Sequence, residues 1–213
     1  MRGHLHFSSF KCPEQLDSAH GRLNKEAVPL LYSIGLLVGH PKSPTYSTVL
    51  LNFLSVVWQE HNGQGIEIAS RLVNAILQCH EGSSFGDEAV DSSRAQLEEL
   101  LEQFCRTLEQ IVSISSNLKS VVSLLEARGE DPATPVFHTL PMAAFASCAD
   151  SMTLDYSQEL SLKRNIVGDL LRGQRNRDTL KVYLSCWIHQ PYLSNHVVDQ
   201  LEALLIEAGL RSA

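Results

Sequence analysis

Apolar residues recur at three- and four-residue steps over most of the chain, the spacing of one buried helix face. The first such run spans about 46–80. Tyr46, Val49, Leu50, Phe53, Leu54 and Val57 open it, and Ile66, Ala69, Leu72, Val73 and Ile76 continue the phase. Gly63-Gln64-Gly65 lies between the two halves. A glycine inside a helix costs about 1 kcal/mol relative to alanine, so this triplet predicts a kink or break. Gly82 to Asp87 reads as a loop.

The central run, about 92–128, carries more start and stop signals. Ser93 and Gln96 have capping-box spacing, in which each side chain satisfies a free backbone N–H of the first turn. Glu98, Glu99 and Glu102 follow near the positive end of the helix dipole. Gly129 is a natural stop after Arg128. Between these limits Leu97, Leu101, Phe104, Leu108, Ile111, Ser115, Leu118, Val122 and Leu125 form a heptad seam interrupted only by Ser115. Such a seam must meet a second helix, from this chain or from a partner.

A third long helix is predicted over about 142–172. Phe145, Ala149, Met152, Tyr156, Lys163, Val167 and Leu170 follow similar steps, with Leu160 where the phase drifts. Pro132, Pro135 and Pro141 keep the preceding connection from being helical, and it is long enough to reverse the chain. The second and third long helices should therefore pack antiparallel, with Leu118 and Val122 near Phe145 or Met152. A short helix over about 178–190 should bury Leu180, Tyr183, Leu184, Trp187 and Ile188, and end at Pro191. Asn195 can cap a last helix, about 195–208, carrying Val198, Leu201, Leu204 and Leu205 and stopped by Gly209. No stretch alternates like a strand. The expected fold is all-α: an elongated antiparallel helical bundle or coiled coil with a short C-terminal helical hairpin.

Residues 1–45 read differently. Pro13, Pro29, Gly39, Pro41 and Pro44 leave at most one short helix, around Lys25 to Leu37, and predict a poorly ordered or atypical leader before a helical domain over 46–213. Met1 to Lys11 lacks the apolar core of a signal peptide. The Val28 to Val38 run is only about half a membrane span, so a soluble protein with no membrane partner is expected.

Charge and chemistry narrow the picture. A formal charge of −7 disfavours direct nucleic-acid binding. Arg172, Arg175, Arg177 and Lys181 are a local exception, but Asp169 and Asp178 sit among them, as on a solvated surface. The five cysteines are odd in number and scattered, consistent with reduced thiols in a cytosolic or nuclear protein. Of the nine histidines, His4 and His6 lie close together in the leader, but His61, His80, His138 and His189 are far apart and supply no partner pair, so no metal or other cofactor is expected. The chain lacks GxxxxGK[ST], HExxH and GxGxxG patterns, and no catalytic residue is assigned.

Two compact signatures bracket the third long helix: Phe137-His138-Thr139-Leu140-Pro141 before it and Trp187-Ile188-His189-Gln190-Pro191-Tyr192 after it. Tyr156, Glu159-Leu160, Leu162-Lys163-Arg164 and Leu170 lie between them, and Leu201-Glu202-Ala203-Leu204-Leu205-Ile206-Glu207-Ala208-Gly209 follows. In this order and spacing the segment resembles the cyclin-dependent kinase 2-interacting protein family. Trp58, Ala69 and Asn74 resemble that family's first helix, and Leu140 stands where relatives often carry an aromatic residue. The resemblance implies a non-enzymatic adaptor. Its implied partners are a cyclin-dependent kinase, the replication-initiating kinase, the checkpoint kinase ATR with its partner ATRIP, and an Afg2-type AAA ATPase assembly acting in ribosome maturation and replisome turnover. It also implies a nuclear location that leaves room for a cytoplasmic pool.

His138, Trp187, His189 and Tyr192 are the candidate partner-binding residues, because all lie in the signatures. Each has a structural alternative. The histidines neighbour prolines that bound helices and could bond to helix ends. Trp187 fits a core position, and Tyr192 fits a surface loop. Ser43-Pro44 and Thr134-Pro135 match the minimal proline-directed phosphorylation pattern. The competing reading of the whole chain is a self-associating coiled-coil structural or tethering protein.

Overall fold

The computed structural model describes residues 44–79, 86–131, 133–136, 138–172, 176–193 and 195–211. Five helices follow in order: α1 Pro44–Cys79, α2 Gly86–Ala127, α3 Met142–Leu171, α4 Arg177–His189 and α5 Asn195–Glu207. The leader up to residue 43, with its expected short helix and Ser43, lies outside the described residues, as do 80–85. Helix α1 begins at Pro44, two residues earlier than expected, and proline is well tolerated in a first turn.

Side-chain partners fix the register. Between α1 and α2, Arg71 donates to Gln96 at 2.8 Å, and Trp58 meets the Phe104 ring edge-on with centroids 4.5 Å apart. Between α2 and α3, Ser115 Oγ donates to Asp150 at 2.8 Å, Lys119 pairs with Asp150 at 2.6 Å, and Arg164 reaches Cys105 Sγ. In both pairs the numbering rises along one helix as it falls along the other, so both pairs are antiparallel. Helices α1 and α3 are parallel: Tyr156 OH donates to Ser55 Oγ and Lys163 Nζ to Asn62 Oδ1, each pair separated by 101 positions.

Helices α4 and α5 occupy the remaining side. Trp187 meets Gly65, Gln190 bonds to Trp58 and Gln59, and Val197, Leu201 and Leu205 line a cleft with Ser55 and Asn52. Contacts thus descend α1 as the chain ascends through α4 and α5. The two short helices lie in succession along the α1–α3 groove and act as a broken fourth member of an up-down-up-down bundle. Leu180, Trp187, Val197, Leu201, Leu204 and Leu205 are buried in the same core as the long helices. The C-terminal segment therefore closes the core.

Several local expectations change. Helix α1 runs unbroken through Gly63-Gln64-Gly65, because Gly65 is where Trp187 approaches the backbone. Helix α2 starts at Gly86, so Ser93 and Gln96 lie inside it and form no capping box; buried Val90 carries the apolar phase a further turn towards the N-terminus. Its buried line is Leu97, Leu100, Phe104, Thr107, Ile111, Ile114 and Leu118, while Leu101 and Leu108 are only partly buried. The reason is geometric: α2 packs against α1 and α3 together, so its inner face is wider than a single seam and centred between the two. On α4, Ile188 faces out, and on α5 Val197 rather than Val198 is buried. Asn195 is the first helical residue of α5 and does not precede it.

The glycine stops hold. Gly129 and Gly209 have φ of 75° and 70°. In each case the glycine N–H and the next N–H return to carbonyls of the last turn, Glu126 and Leu125 in one, Ile206 and Leu205 in the other.

Candidate functional site

Lys163 falls on the inner face of α3, an apolar line where an ammonium needs partners. Its Nζ lies 2.8 Å from Asn62 Oδ1 of α1 and 2.9 Å from Glu159 Oε1, one helical turn earlier. Both charged side chains are wholly buried. Burial pushes the Lys163 pKa down, and the Glu159 carboxylate works against that. The ammonium also sits 4.7 Å from the Trp187 ring centroid and 5.6 Å from that of Phe104, within cation–π range. Glu159 Oε2 accepts the backbone N–H of Tyr192 at 3.2 Å.

The Trp187–Tyr192 signature is built around this pair. Asn176 caps α4, accepting the N–H groups of Asp178 and Thr179 at 3.0 Å. Helix α4 ends at Gln190, which is left-handed with φ of 43°, unusual for a residue with a side chain. Its side chain explains the tolerance: Oε1 accepts the Trp58 indole N–H at 2.9 Å, and Nε2 donates to Gln59 at 2.8 Å. The signature thus turns the chain between α4 and α5 and anchors the turn to α1 and α3.

The first signature is held at the far end of α5. Glu207 accepts the backbone N–H groups of Thr139 and Leu140 and the Thr139 hydroxyl, the last at 2.9 Å. The Thr139 N–H, then the Leu140 N–H, pulls the Glu207 pKa below its ordinary value. Helix α5 has 13 residues, so the two signatures sit at opposite ends of a span of about 20 Å. They are two attachment points of one C-terminal strap.

Trp187 is a core residue, almost fully buried, and its indole N–H has no hydrogen-bond partner among the described residues. Tyr192 is 44% exposed on the turn. His138 and His189 are exposed, and neither imidazole hydrogen-bonds to a described residue. Tyr192 and His189 share the α4–α5 turn, while His138 stands apart beside the α3 entry. Thr134 is exposed in the α2–α3 connection, its N–H bonded to the Asp131 carbonyl at 3.0 Å.

Sequence reasoning missed Asn62, Gly65, Glu159, Gln190 and Glu207 as organising residues. The usable signal was Lys163 at an apolar-phase position with Glu159 four residues earlier. Of the basic cluster, Arg172 pairs with Asp169, Lys181 pairs with Asp178 and Arg177 is exposed, while Arg175 lies outside the described residues. Gly82-Ser83-Ser84-Phe85-Gly86 spells G-x-S-x-G, but helix α1 precedes it where a nucleophile elbow needs a strand. Among the described residues no three His, Cys, Asp or Glu side chains group as a metal site, and no helix is long and apolar enough to cross a membrane.

No family model matches the chain. Curated proteins do. It is 39% identical over 179 residues to the cyclin-dependent kinase 2-interacting protein of Bos taurus, covering 74% of this chain and 84% of that relative. It is 29% identical over 174 residues to the Xenopus laevis protein of the same name, with the same coverage, and 31% identical over 128 residues to the Mus musculus one.

Proposed function

The chain belongs to the cyclin-dependent kinase 2-interacting protein family, and we propose that it acts as a non-enzymatic adaptor whose closed helical bundle presents surfaces to other proteins. The observation that carries this reading is the match to relatives named for binding a cyclin-dependent kinase, extending over 84% of the length of two of them. The partners in the proposal are a cyclin-dependent kinase, the replication-initiating kinase, ATR with ATRIP, and Afg2-type AAA ATPase subunits, in a nuclear setting with a cytoplasmic pool.

The bundle supports an adaptor over a self-associating tether. A tether needs its heptad seam free for a second copy. Here Leu97, Phe104, Ile111 and Leu118 are buried within the chain's own bundle. Affinity purification of the full chain followed by mass spectrometry tests the reading. Recovery of a kinase or of AAA ATPase subunits supports it, and recovery of the chain alone refutes it.

A further inference from the structure

We infer that the outer seam between α1 and the α4–α5 strap docks a basic amphipathic helix of a partner protein; this rests on the adaptor reading and assigns it a surface. Three elements converge there. On α1, Val56, Glu60, Gly63 and Glu67 follow steps of four, three and four, which puts them on one stripe. The strap adds Ile188, just before the turn that Gln190 anchors to Gln59, and Val198, which lines the cleft with Asn52 and Ser55. Val56, Ile188 and Val198 are 52%, 48% and 63% exposed. A Cβ at Gly63 would meet nothing within 4 Å, so the stripe is flat and open at its middle.

The charge around these apolar residues selects the occupant. Glu60, Glu67 and Asp199 are exposed and form no ion pair among the described residues. Two basic side chains flank the surface: Arg211 is already paired with Glu202, and Arg71, one turn beyond Glu67 on α1, is turned to α2, where it donates to Gln96. An apolar centre with an unneutralised acidic rim complements a helix that carries aliphatic residues on one face and lysine or arginine beside them. The stripe from Val56 to Glu67 covers about three helical turns, a common length for a groove-bound helix.

The test uses the full chain and a synthetic helix of leucine and lysine, about five turns long, with binding followed by fluorescence anisotropy. A matched leucine–glutamate helix is the charge control. The leucine–lysine helix should bind and the control should not. Val56→Asp and Ile188→Asp add negative charge, so simple electrostatic attraction would strengthen; docking through the apolar centre should instead weaken by about tenfold or more. Glu60→Lys with Glu67→Lys should weaken binding similarly, and Val112→Asp on the outer face of α2 should not. All five positions are exposed, and unchanged circular dichroism and melting confirm the fold. Binding that survives both aspartate variants, or that Val112→Asp weakens equally, overturns the proposal. So does self-association of the chain that Ile188→Asp abolishes, which assigns the face to a second copy. Binding of purified cyclin-dependent kinase 2 is measured beside it. Kinase binding without docking of the leucine–lysine helix refutes the surface and leaves the adaptor reading; the reverse leaves the surface and removes the kinase from the adaptor's partners.

Discussion

The Trp187 indole occupies the space that a side chain at Gly65 would need. A Cβ built there would lie 2.5 Å from ring atom Cζ2 and 2.6 Å from Nε1. The glycine that looks like a helix breaker is therefore the seat of the strap's largest anchor.

Gly65→Ala and Gly63→Ala should change stability in opposite directions. Alanine favours a helix by about 1 kcal/mol over glycine. At Gly63 the new methyl meets open space, so a gain of about 0.4–1 kcal/mol is expected. At Gly65 it collides with a rigid ring, and a net loss of about 1–3 kcal/mol is expected. Urea midpoints decide; two gains of equal size would mean that Trp187 does not sit against α1.

Lys163→Met should be among the most damaging single changes, because it leaves Glu159 buried without its cation. A loss of about 3–5 kcal/mol is expected. Adding Glu159→Gln, which removes the stranded charge and keeps an acceptor for the Tyr192 N–H, should recover a large part of it. A double variant no more stable than Lys163→Met would show that the two charges are not coupled.

Much of this fold is legible in the sequence because it rests on local signals. Three- and four-residue steps locate α1, α2 and α3, and the Gly129 and Gly209 stops depend only on chain geometry within a turn. The inner line of α3, from Phe145 to Leu170, also follows from spacing, Lys163 included. What stays hidden depends on residues far apart in sequence. Gly65 means a break until Trp187 is placed on it. Ser93 resembles a cap until Val90 is seen in the core. Glu207 sits in a helix like other glutamates, and nothing nearby says that its carboxylate holds Thr139 and Leu140. His138, Tyr192 and His189 are exposed, which spacing alone cannot distinguish from helix-end bonding.

Glu207 should make the strap acid-sensitive. Its folded pKa lies below the ordinary carboxylate value of 4.5, so in that window the unfolded chain binds more protons than the folded one. The stabilisation is complete above the ordinary value and is lost as pH falls from there through the lowered folded value. Glu207→Gln should remove this part of the acid dependence. Urea midpoints of wild type and variant should thus converge as pH drops below about 4.5. A constant difference between them would show that the carboxylate charge is not what holds the α3 entry.

Ending the chain after Gly173 should leave strong helical circular dichroism but uncover Trp58, Tyr156 and the Lys163–Glu159 pair. Binding of a hydrophobic dye should rise and thermal melting should broaden. Sharp melting at an unchanged temperature would show that the strap is not part of the core.

The adaptor reading meets its most direct test in sedimentation velocity of the full chain, alone and with purified cyclin-dependent kinase 2, over a range of concentrations. The expected result is a chain that stays monomeric alone and moves into a heavier complex when the kinase is added. A chain that self-associates with rising concentration and leaves the kinase sedimenting unchanged would contradict it.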